Sequence, residues 1–263
     1  MRGAGTIGML TLLGALALGA AARAADGVYE INQSCVETGC FPGDSGGYPV
    51  TGQAGQSYVL TSNLAVTDAD VTAINLNEGA TLDLNGFSIT GPAQCTGTPP
   101  ACVGLGSGRG VLVYGGGATI RNGRIAGMGG DGISGDAGTR VEKMVIEANG
   151  DDGVEGVGGN WSVTECRILR NKDAGVSVAI SSPSGVVSRN IIWGNGGVGV
   201  YGSQIAVTEN AIYNNGGLGL SLFSGAGPAY NAIYRNNGGA AQPQSAGATA
   251  ETGPNSCEDG ACP

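Results

Sequence analysis

The chain has 263 residues, 52 of them glycine, and a formal net charge of −9. Its 21 acidic residues outnumber 12 basic ones, which argues against binding to nucleic acid or to an anionic membrane, because both attract positive charge. Histidine and a Cys-x2-Cys motif are both missing from the sequence, which argues against a zinc site.

The first 24 residues are predicted to be a secretory signal peptide. Arg2 precedes an apolar run from Ile7 to about Ala22, and Ala22-Arg23-Ala24 forms an A-x-A cleavage site. The run is short and rich in Ala and Gly, which favours a signal peptide over a transmembrane anchor. Cleavage would leave 12 − 2 = 10 basic residues and a net charge of −11. We expect a bacterial protein that is secreted, periplasmic or at the cell surface, with no membrane span after cleavage.

The remaining chain divides into three segments. Residues 25–57 lack the repeat described below and are predicted to cap the N-terminal end of a repeat domain, residues 58–239. A Pro/Gly/Thr-rich insertion, residues 92–107, interrupts that domain as a surface loop. Residues 240–263 are predicted to form a C-terminal cap or a loosely ordered tail.

Seven cysteines in an exported chain indicate disulfides. Six of them form pairs that are close in sequence, and each pair would close a short loop: Cys35–Cys40, Cys95–Cys102 and Cys257–Cys262. Cys166 is left over, and its place in the repeat predicts a free thiol that faces the interior.

The most informative pattern is a repeat of 20–24 residues from Val141 to Gly239. A unit of this length is too short for a pair of helices, and its Val, Ile, Asn and Gly residues disfavour helix. Stacked coils of short strands would bury continuous apolar columns at the spacing of neighbouring strands. The predicted inward columns are Val141/Val163/Val187/Val207, Ile146/Ile168/Ile192/Ile212/Ile233 and Ile133/Val154/Val176/Val200/Leu220.

Asparagine recurs at two turns of the unit. Stacked Asn amides can hydrogen-bond from coil to coil, and Asn tolerates left-handed backbone, so we predict a structural role. The predicted ladders are Asn149/Asn171/Asn195/Asn215/Asn236 and Asn190/Asn210/Asn231; Cys166 and Met144 take the place of Asn in the second ladder.

The run Val-x2-Asn-x-Ile-x2-Asn-x3-Gly-[Val/Ile/Leu] resembles the right-handed parallel β-helix family, which includes pectate lyases, polygalacturonases and alginate epimerases. Ala80-Thr-Leu-Asp-Leu-Asn-Gly-Phe-Ser-Ile-Thr-Gly91 is similar to the opening coil of small secreted bacterial members of unknown activity. The resemblance covers about Tyr58 to Gly239. It implies an all-β fold, a single-stranded right-handed parallel β-helix, which we expect to have about seven coils and a cap at each end.

Aromatic residues follow the column isoleucines in the last three coils, at Trp193, Tyr213 and Tyr234. Alternation along a strand sends them outward, where aromatic rings suit the apolar faces of sugars. Arg235 and Arg170 would flank the stripe with polar contacts. The alternative is that the rings stack to stabilise the sheet, or that the C-terminal tail packs over them.

A second candidate site is a cluster of charged residues in two consecutive turns: Asp151, Asp152, Arg170, Lys172 and Asp173. A pectate-lyase-like mechanism uses carboxylates for Ca²⁺ and an Arg or Lys as base. The plainer interpretation is a solvated polar turn, and Asp131, at the same repeat position as Asp152, fits ordinary turn chemistry. Polygalacturonase activity is not expected without histidine.

Outward charges alternate along Lys143, Glu165, Arg189 and Glu209, which predicts a surface salt ladder rather than a catalytic pair. We favour a non-catalytic, carbohydrate-binding or envelope-associated monomer whose partner is a polysaccharide or cell-envelope glycan. The alternative is a polysaccharide lyase, hydrolase or epimerase. No cofactor is required for binding, and Ca²⁺ enters only under the lyase alternative.

Overall fold

A computed structural model describes residues 27–179, 185–223, 225–239, 245–246 and 253–257. The predicted signal peptide and Cys262 lie outside these residues. Within them the regular structure is almost entirely short β-strands, with one four-residue helix, α1 (Gln33–Val36), and a 3-10 turn at Asn237–Gly239. In the described part of the chain, no helix is long and apolar enough to cross a membrane.

The strands follow one another with short turns between them. The first are β1 (Tyr29–Ile31), β2 (Val50–Gly52), β3 (Ser57–Leu60), β4 (Leu64–Ala65), β5 (Ile74–Leu76), β6 (Thr81–Asp83), β7 (Ser88–Thr90), β8 (Gln94–Thr96) and β9 (Ala101–Val103). The next are β10 (Val111–Val113), β11 (Thr119–Ala126), β12 (Ile133–Gly135), β13 (Arg140–Glu147), β14 (Val154–Val157), β15 (Ser162–Thr164), β16 (Arg167–Leu169), β17 (Val176–Ala179) and β18 (Gly185–Ser188). The last are β19 (Ile191–Trp193), β20 (Val200–Ser203), β21 (Ile205–Thr208), β22 (Ala211–Tyr213), β23 (Leu220–Phe223), β24 (Gly227–Ala229), β25 (Ala232–Tyr234), β26 (Ser245–Ala246) and β27 (Ser256–Cys257).

The strands stack into a solenoid with three faces. Face 1 is a nine-stranded parallel sheet, in the order β2-β5-β10-β12-β14-β17-β20-β23-β26. A second, 16-stranded sheet bends into the other two faces. Face 2 contains the column β15-β18-β21-β24, and face 3 contains β16-β19-β22-β25. The long strands β11 and β13 cross the bend and contribute to both.

The predicted parallel β-solenoid is confirmed, and it has about nine coils, because face 1 takes one strand from each coil. The predicted caps account for the difference from the seven coils expected. β1 and β2 lie within residues 25–57 and pair in parallel with β3 and β5, while β26 and β27 extend the two sheets beyond residue 239. Backbone hydrogen bonds suffice to add a strand to a sheet edge, so these coils do not need the repeated side chains that identify the others.

The three predicted apolar columns are confirmed. Their members are paired directly in the parallel registers and are almost fully buried, with exposed fractions of 0–1%. The recurring glycine has a packing reason. A Cβ at Gly175 would lie 2.5 Å from Cγ2 of Ile192 and 2.7 Å from the carbonyl oxygen of Gly199, so the inward isoleucine of the next coil requires glycine there.

Both asparagine ladders are confirmed, and one is longer than predicted. Each Asn accepts at its side-chain oxygen a hydrogen bond from the backbone N–H of the residue one coil earlier and, where that residue is also Asn, a second from its amide. Both bonds from Asn171 to Asn195 measure 3.0 Å. The second ladder continues from Asn231 to Asn255, which donors of Asn231 reach at 2.9–3.0 Å. Asn255 was missed because it lies in the segment predicted as a cap.

The ladders lie inside the solenoid, although the sequence places their residues at turns, which are usually exposed. The amides also donate to carbonyls of the preceding coil, for example Asn210 to Val187 at 2.9 Å, Asn215 to Ile192 at 3.3 Å and Asn236 to Ile212 at 3.1 Å. Exposed fractions are only 0–2% for all eight predicted members: Asn149, Asn171, Asn195, Asn215 and Asn236 in the first ladder, and Asn190, Asn210 and Asn231 in the second. A ligand on the surface cannot reach these side chains, so their role is structural.

Two predicted disulfides are present, Cys35–Cys40 and Cys95–Cys102. Cys257 is also disulfide-bonded, and its predicted partner, Cys262, lies outside the described residues. Cys166 is a free, buried cysteine, as predicted, and its backbone N–H donates to Asn190 Oδ1 at 2.9 Å. It therefore stands at the end of the second ladder.

The corner between faces 2 and 3 is formed by charged residues with left-handed backbone. Lys143, Glu165, Arg189 and Glu209 have φ values of 54–58°. Arg189 pairs with Glu165 at 3.3 Å and, more loosely, with Glu209 at 4.0 Å. The predicted salt ladder is thus present along these three residues. Their side chains are 44–56% exposed, so each pair contributes about 1 kcal/mol or less to stability.

Candidate functional site

The aromatic stripe lies on face 3. Trp193 pairs in register with Tyr213, and Tyr213 with Tyr234, while the isoleucines beside them point inward. All three side chains are partly exposed. The rings are therefore contiguous over three coils on the outside of the solenoid, in the place that alternation predicts.

The rings contact one another closely. Tyr213 and Tyr234 are stacked, with centroids 4.8 Å apart and planes within 5° of parallel. Trp193 is tilted by 47° against Tyr213 at 6.3 Å. One face of each tyrosine is thus covered by its neighbour, and the tilted indole is the ring best oriented to offer a face to a ligand. An open depression of about 560 Å³, lined in part by Tyr234, Arg235 and Ser256, continues the stripe.

The predicted charged cluster is brought together only in part. Asp151, Asp152 and Asp173 converge, and one carboxylate oxygen of each lies within 4.8 Å of the other two. Oxygen donors of this kind suit Ca²⁺, and these three residues are the ones in the described chain that could hold it. Arg170 instead pairs with Glu147, at 2.8 Å.

Three further charged residues complete this carboxylate cluster, and the sequence did not single them out as functional. Arg109 Nε contacts Asp131 Oδ2 at 2.9 Å, and a second guanidinium nitrogen lies 3.9 Å from Glu155. Ser134 donates to Glu155 at 2.9 Å. The sequence indicates these residues only weakly. Asp131 and Asp152 occupy the same repeat position, and Arg109 lies 22 residues before Asp131, which is one coil away.

The column of aspartates also bonds to the backbone of the next coil. The N–H of Asp152 donates to Asp131 Oδ1 at 3.2 Å, and the N–H of Ala174 donates to Asp152 Oδ1 at 2.7 Å. These bonds extend the predicted turn role of Asp131 and resemble the asparagine ladders in form. A carboxyl group differs from an amide because it can ionise.

Burial gives two of these carboxyl groups unusual acidities. It raises the pKa of Asp131 to about 7, with a further rise from Glu155, in spite of the ion pair with Arg109. Burial also raises the pKa of Asp152 to about 8, against the hydrogen bond from Ala174. The pKa of Asp151 is raised by burial and by the charge of Asp173. Near neutral pH the cluster therefore holds carboxyl groups in both protonation states, as acid–base chemistry requires.

Glu147 is the centre of a separate cluster on face 3. Its two carboxylate oxygens accept from Arg124 Nε and from a terminal nitrogen of Arg170, each at 2.8 Å. Burial alone would raise the pKa of Glu147, but these two bonds and charges outweigh it and lower the pKa. Glu147 is thus held ionised between two arginines.

The predicted insertion is a stapled hairpin that lies along the solenoid. β8 and β9 pair antiparallel, with Cys95 opposite Cys102. The hairpin passes over turns that lack side chains: a Cβ built at Gly194 would lie 3.6 Å from Thr98, one at Gly196 3.5 Å from Pro100, and one at Gly216 3.3 Å from Pro99. These turns connect face 3 to the carboxylate cluster, so the hairpin lies between the aromatic stripe and the aspartates.

Residues 109–255 match the family model described as a right-handed beta helix region. The match covers more than half of the chain, which therefore belongs to the right-handed β-helix family. No curated protein sequence matches it.

Solved structures with similar folds include two epimerase modules and a tailspike. The A-module of mannuronan C-5 epimerase AlgE4 from Azotobacter vinelandii is 18% identical, with a TM-score of 0.47 over 84% of this chain and 70% of that one. The A-module of AlgE6 from the same organism is 17% identical, with a TM-score of 0.35 over 84% and 69%. The Dettilon tailspike protein gp208 is 12% identical, with a TM-score of 0.38 over 88% and 59%.

Proposed function

We propose that this protein is a non-catalytic, carbohydrate-binding β-helix protein of the cell exterior or envelope, and that its glycan lies along Trp193, Tyr213 and Tyr234. The observation that carries the proposal is the register of these rings, which places three partly exposed aromatic side chains in one outward column. The core does not need them, because the inward isoleucines already fill it. Contiguous exposed aromatic residues usually mark a contact surface.

The stacking of the rings refines how a sugar would be held. The indole of Trp193 offers a tilted face for the apolar side of a sugar ring, whereas the stacked tyrosines offer mainly their edges and hydroxyl groups. This row of three rings favours an extended glycan that runs from coil to coil. The disulfides of the described residues fit an oxidising compartment, in keeping with export.

The second candidate function is acid–base catalysis on a polysaccharide by the carboxylate cluster. The specific observation in its favour is the pair of carboxyl groups with raised pKa values, Asp131 near 7 and Asp152 near 8, beside the more exposed Asp151 and Asp173. Asp131 is only 4% exposed, so Asp152 is the better candidate for contact with a substrate. Arg170, paired with Glu147, is poorly placed to act as a base for these aspartates.

A glycan array on the exported protein tests the binding function. Tyr213→Ala should weaken binding of the glycans it identifies by roughly 1–3 kcal/mol, as for other aromatic stacking platforms, and should leave the fold intact. Tyr201→Ala is the matched control, since Tyr201 is a 39% exposed ring on face 1. A lower unfolding free energy for Tyr213→Ala, with unchanged glycan affinity of the protein that is still folded, would mean that the stripe serves packing.

The enzyme hypothesis has its own test. The same glycans are incubated with the protein, with and without Ca²⁺, and products are followed as unsaturated sugars and as new reducing ends. Product formation that Asp152→Asn abolishes would replace the binding proposal by catalysis. If Arg170→Ala also abolished a Ca²⁺-dependent reaction, a lyase mechanism would be favoured.

A further inference from the structure

The charges of this acidic protein are unevenly distributed over its faces. Beyond the predicted signal peptide the chain has ten basic residues, and six of them lie on or directly after three consecutive coils of the bent sheet: Arg121, Arg124, Arg140, Lys143, Arg167 and Arg170. The acidic residues beside them are Glu142, Glu147 and Glu165 on or directly between strands of the same coils, and Asp83 on the preceding coil, which pairs with Arg121 at 3.0 Å. This surface therefore has a net charge of 6 − 4 = +2, whereas the chain beyond the predicted signal peptide has 10 − 21 = −11.

The centre of this surface has more positive charge than its own ion pairs neutralise. Arg124 and Arg170 share the single carboxylate of Glu147, which leaves one positive charge over. Nε of Arg170 is buried and has no hydrogen-bond partner in the described part of the chain. Arg124 uses only Nε toward Glu147, and its side chain is 44% exposed. A single arginine would satisfy Glu147, so ion pairing within the fold does not account for the second.

A third arginine stands on the same surface. Arg124 pairs in register with Val145, and Val145 with Arg167, so the two arginines are two coils apart in one outward column. At the usual strand spacing their Cα atoms are about 10 Å apart. Arg167 is exposed. The neighbouring outward column runs Glu147, Leu169, Trp193, so the arginines lead directly into the aromatic stripe.

We propose that Arg124, Arg167 and Arg170 bind anionic groups of the glycan, and hence that the protein selects acidic sugar chains, those with carboxylate or sulfate groups, over neutral ones. This inference rests on the proposed binding function and names its ligand class. The planar guanidinium group of arginine presents several N–H donors in a geometry that matches a carboxylate or sulfate. Glu147 positions two of these groups, those of Arg124 and Arg170. A glycan bound along face 3 would place its anionic groups at the arginines and its sugar rings at Trp193 and Tyr213.

The net negative charge of the protein by itself would disfavour the binding of an acidic glycan. Repulsion from an acidic protein weakens at distances beyond about 10 Å at moderate salt, whereas contacts with a local basic surface are shorter than that. The most acidic region, the carboxylate cluster, lies beyond the turn that the stapled hairpin crosses. Among the described residues, the carboxylate cluster and the arginines of face 3 are thus separated, and face 3 offers a charge complementary to an acidic glycan.

The experiment compares uronate-bearing, sulfated and neutral glycans on one array, followed by titrations of those that bind. The variant Arg167→Gln alters an exposed residue outside the Glu147 ion pairs, and the double variant Arg124→Gln/Arg167→Gln removes two of the three guanidinium groups. Arg189→Gln, at the corner salt ladder of the same sheet, is the control for overall charge. We expect the glycans bound to be acidic and the double variant to lose about tenfold or more in affinity, with a shallower salt dependence. Arg189→Gln should bind as the wild type does.

The outcomes separate the two proposals. Uronates retained and sulfated sugars rejected would identify carboxylate as the recognised group, and the reverse result would identify sulfate. Preference for neutral glycans, unchanged affinity in the double variant, or an equal loss in Arg189→Gln would overturn the inference while leaving glycan binding in place. If no glycan binds, the proposed function itself fails and this inference with it.

Discussion

The thiol of Cys166 takes the place that the amide of Asn190 holds one coil further on. Cys166 Sγ lies 3.7 Å from the carbonyl oxygen of Val141, and Asn190 Nδ2 donates to the equivalent carbonyl, that of Val163, at 2.9 Å. Since Val141 and Val163 are paired in register, the two side chains serve the same turn in successive coils. The thiol makes a weaker bond there than an amide would, and it cannot donate to Asn190 Oδ1 as an amide could.

Cys166→Asn should therefore stabilise the protein by about 1 kcal/mol, because it adds an amide donor to the carbonyl of Val141 and to Asn190 Oδ1. Thermal and denaturant unfolding measure the change. The reciprocal variant, Asn190→Cys, should cost about 1–3 kcal/mol by leaving buried groups of the ladder without partners. A lower melting temperature for Cys166→Asn would show that the pocket is shaped for sulfur.

Ile192→Asp should be severely destabilising, by more than about 4 kcal/mol, since it places an unpaired charge in a fully buried column. Ile191→Asp provides a matched control one residue away. Ile191 is 39% exposed, and its substitution should change stability by about 0.5 kcal/mol. Equal effects of the two variants in urea unfolding would contradict the assigned inward and outward positions.

Stability should fall as the pH rises from about 4 to 8. In the unfolded chain the aspartates ionise near pH 4, whereas in the fold the pKa values of Asp131 and Asp152 are about 7 and about 8. The unfolded state therefore loses protons first, and ionisation increasingly favours it until both groups have also ionised in the fold. Unfolding free energies measured between about pH 4 and pH 8 give the slope of stability against pH.

Asp152→Asn should reduce that pH dependence and raise stability above about pH 8, because an amide oxygen can still accept from the N–H of Ala174 without ionising. Asp136→Asn is the control, since Asp136 also accepts from a backbone N–H, that of Gly115, outside the cluster. A flat stability profile in the wild type would argue against the burial of these carboxyl groups.

Thiol titration of the unreduced, exported protein should find about one thiol, and only after denaturation. Burial raises the pKa of Cys166 to about 12, which suppresses the reactive thiolate, and the described disulfides leave Cys166 as the free cysteine. A thiol reagent added to the native protein therefore reacts slowly or not at all. Several fast-reacting thiols would contradict both the pairing and the burial.

Much of the fold could be predicted because its determinants repeat. A column such as Ile146, Ile168 and Ile192 is visible in sequence, since each coil must present the same side chain to its neighbours. The ends could not be predicted in this way. Strands such as β1 and β26 join the sheets through backbone bonds, and the coil count was too low as a result.

The candidate sites were predicted less completely. Trp193, Tyr213 and Tyr234 could be placed outward from alternation, but alternation does not set ring orientation, and the stack of Tyr213 on Tyr234 was not foreseen. Asp151, Asp152 and Asp173 were grouped because they fall at the same turn of two consecutive repeats. Arg109 and Glu155 escaped notice because only the stacking of coils brings them to Asp131.

The sequence by itself determined the coil, its inward columns and its asparagine ladders, because each of these depends on spacing that recurs along the chain, and the disulfides Cys35–Cys40 and Cys95–Cys102, because each closes a short loop. Only the tertiary structure decided which charges meet. Arg170 lies three residues before Asp173, yet the left-handed turn at Arg170 directs it to Glu147 on the preceding coil. Side chains on neighbouring coils contact one another at strand spacing, while residues next to each other at a corner point to different faces, so proximity in sequence is a poor guide to a site on a solenoid.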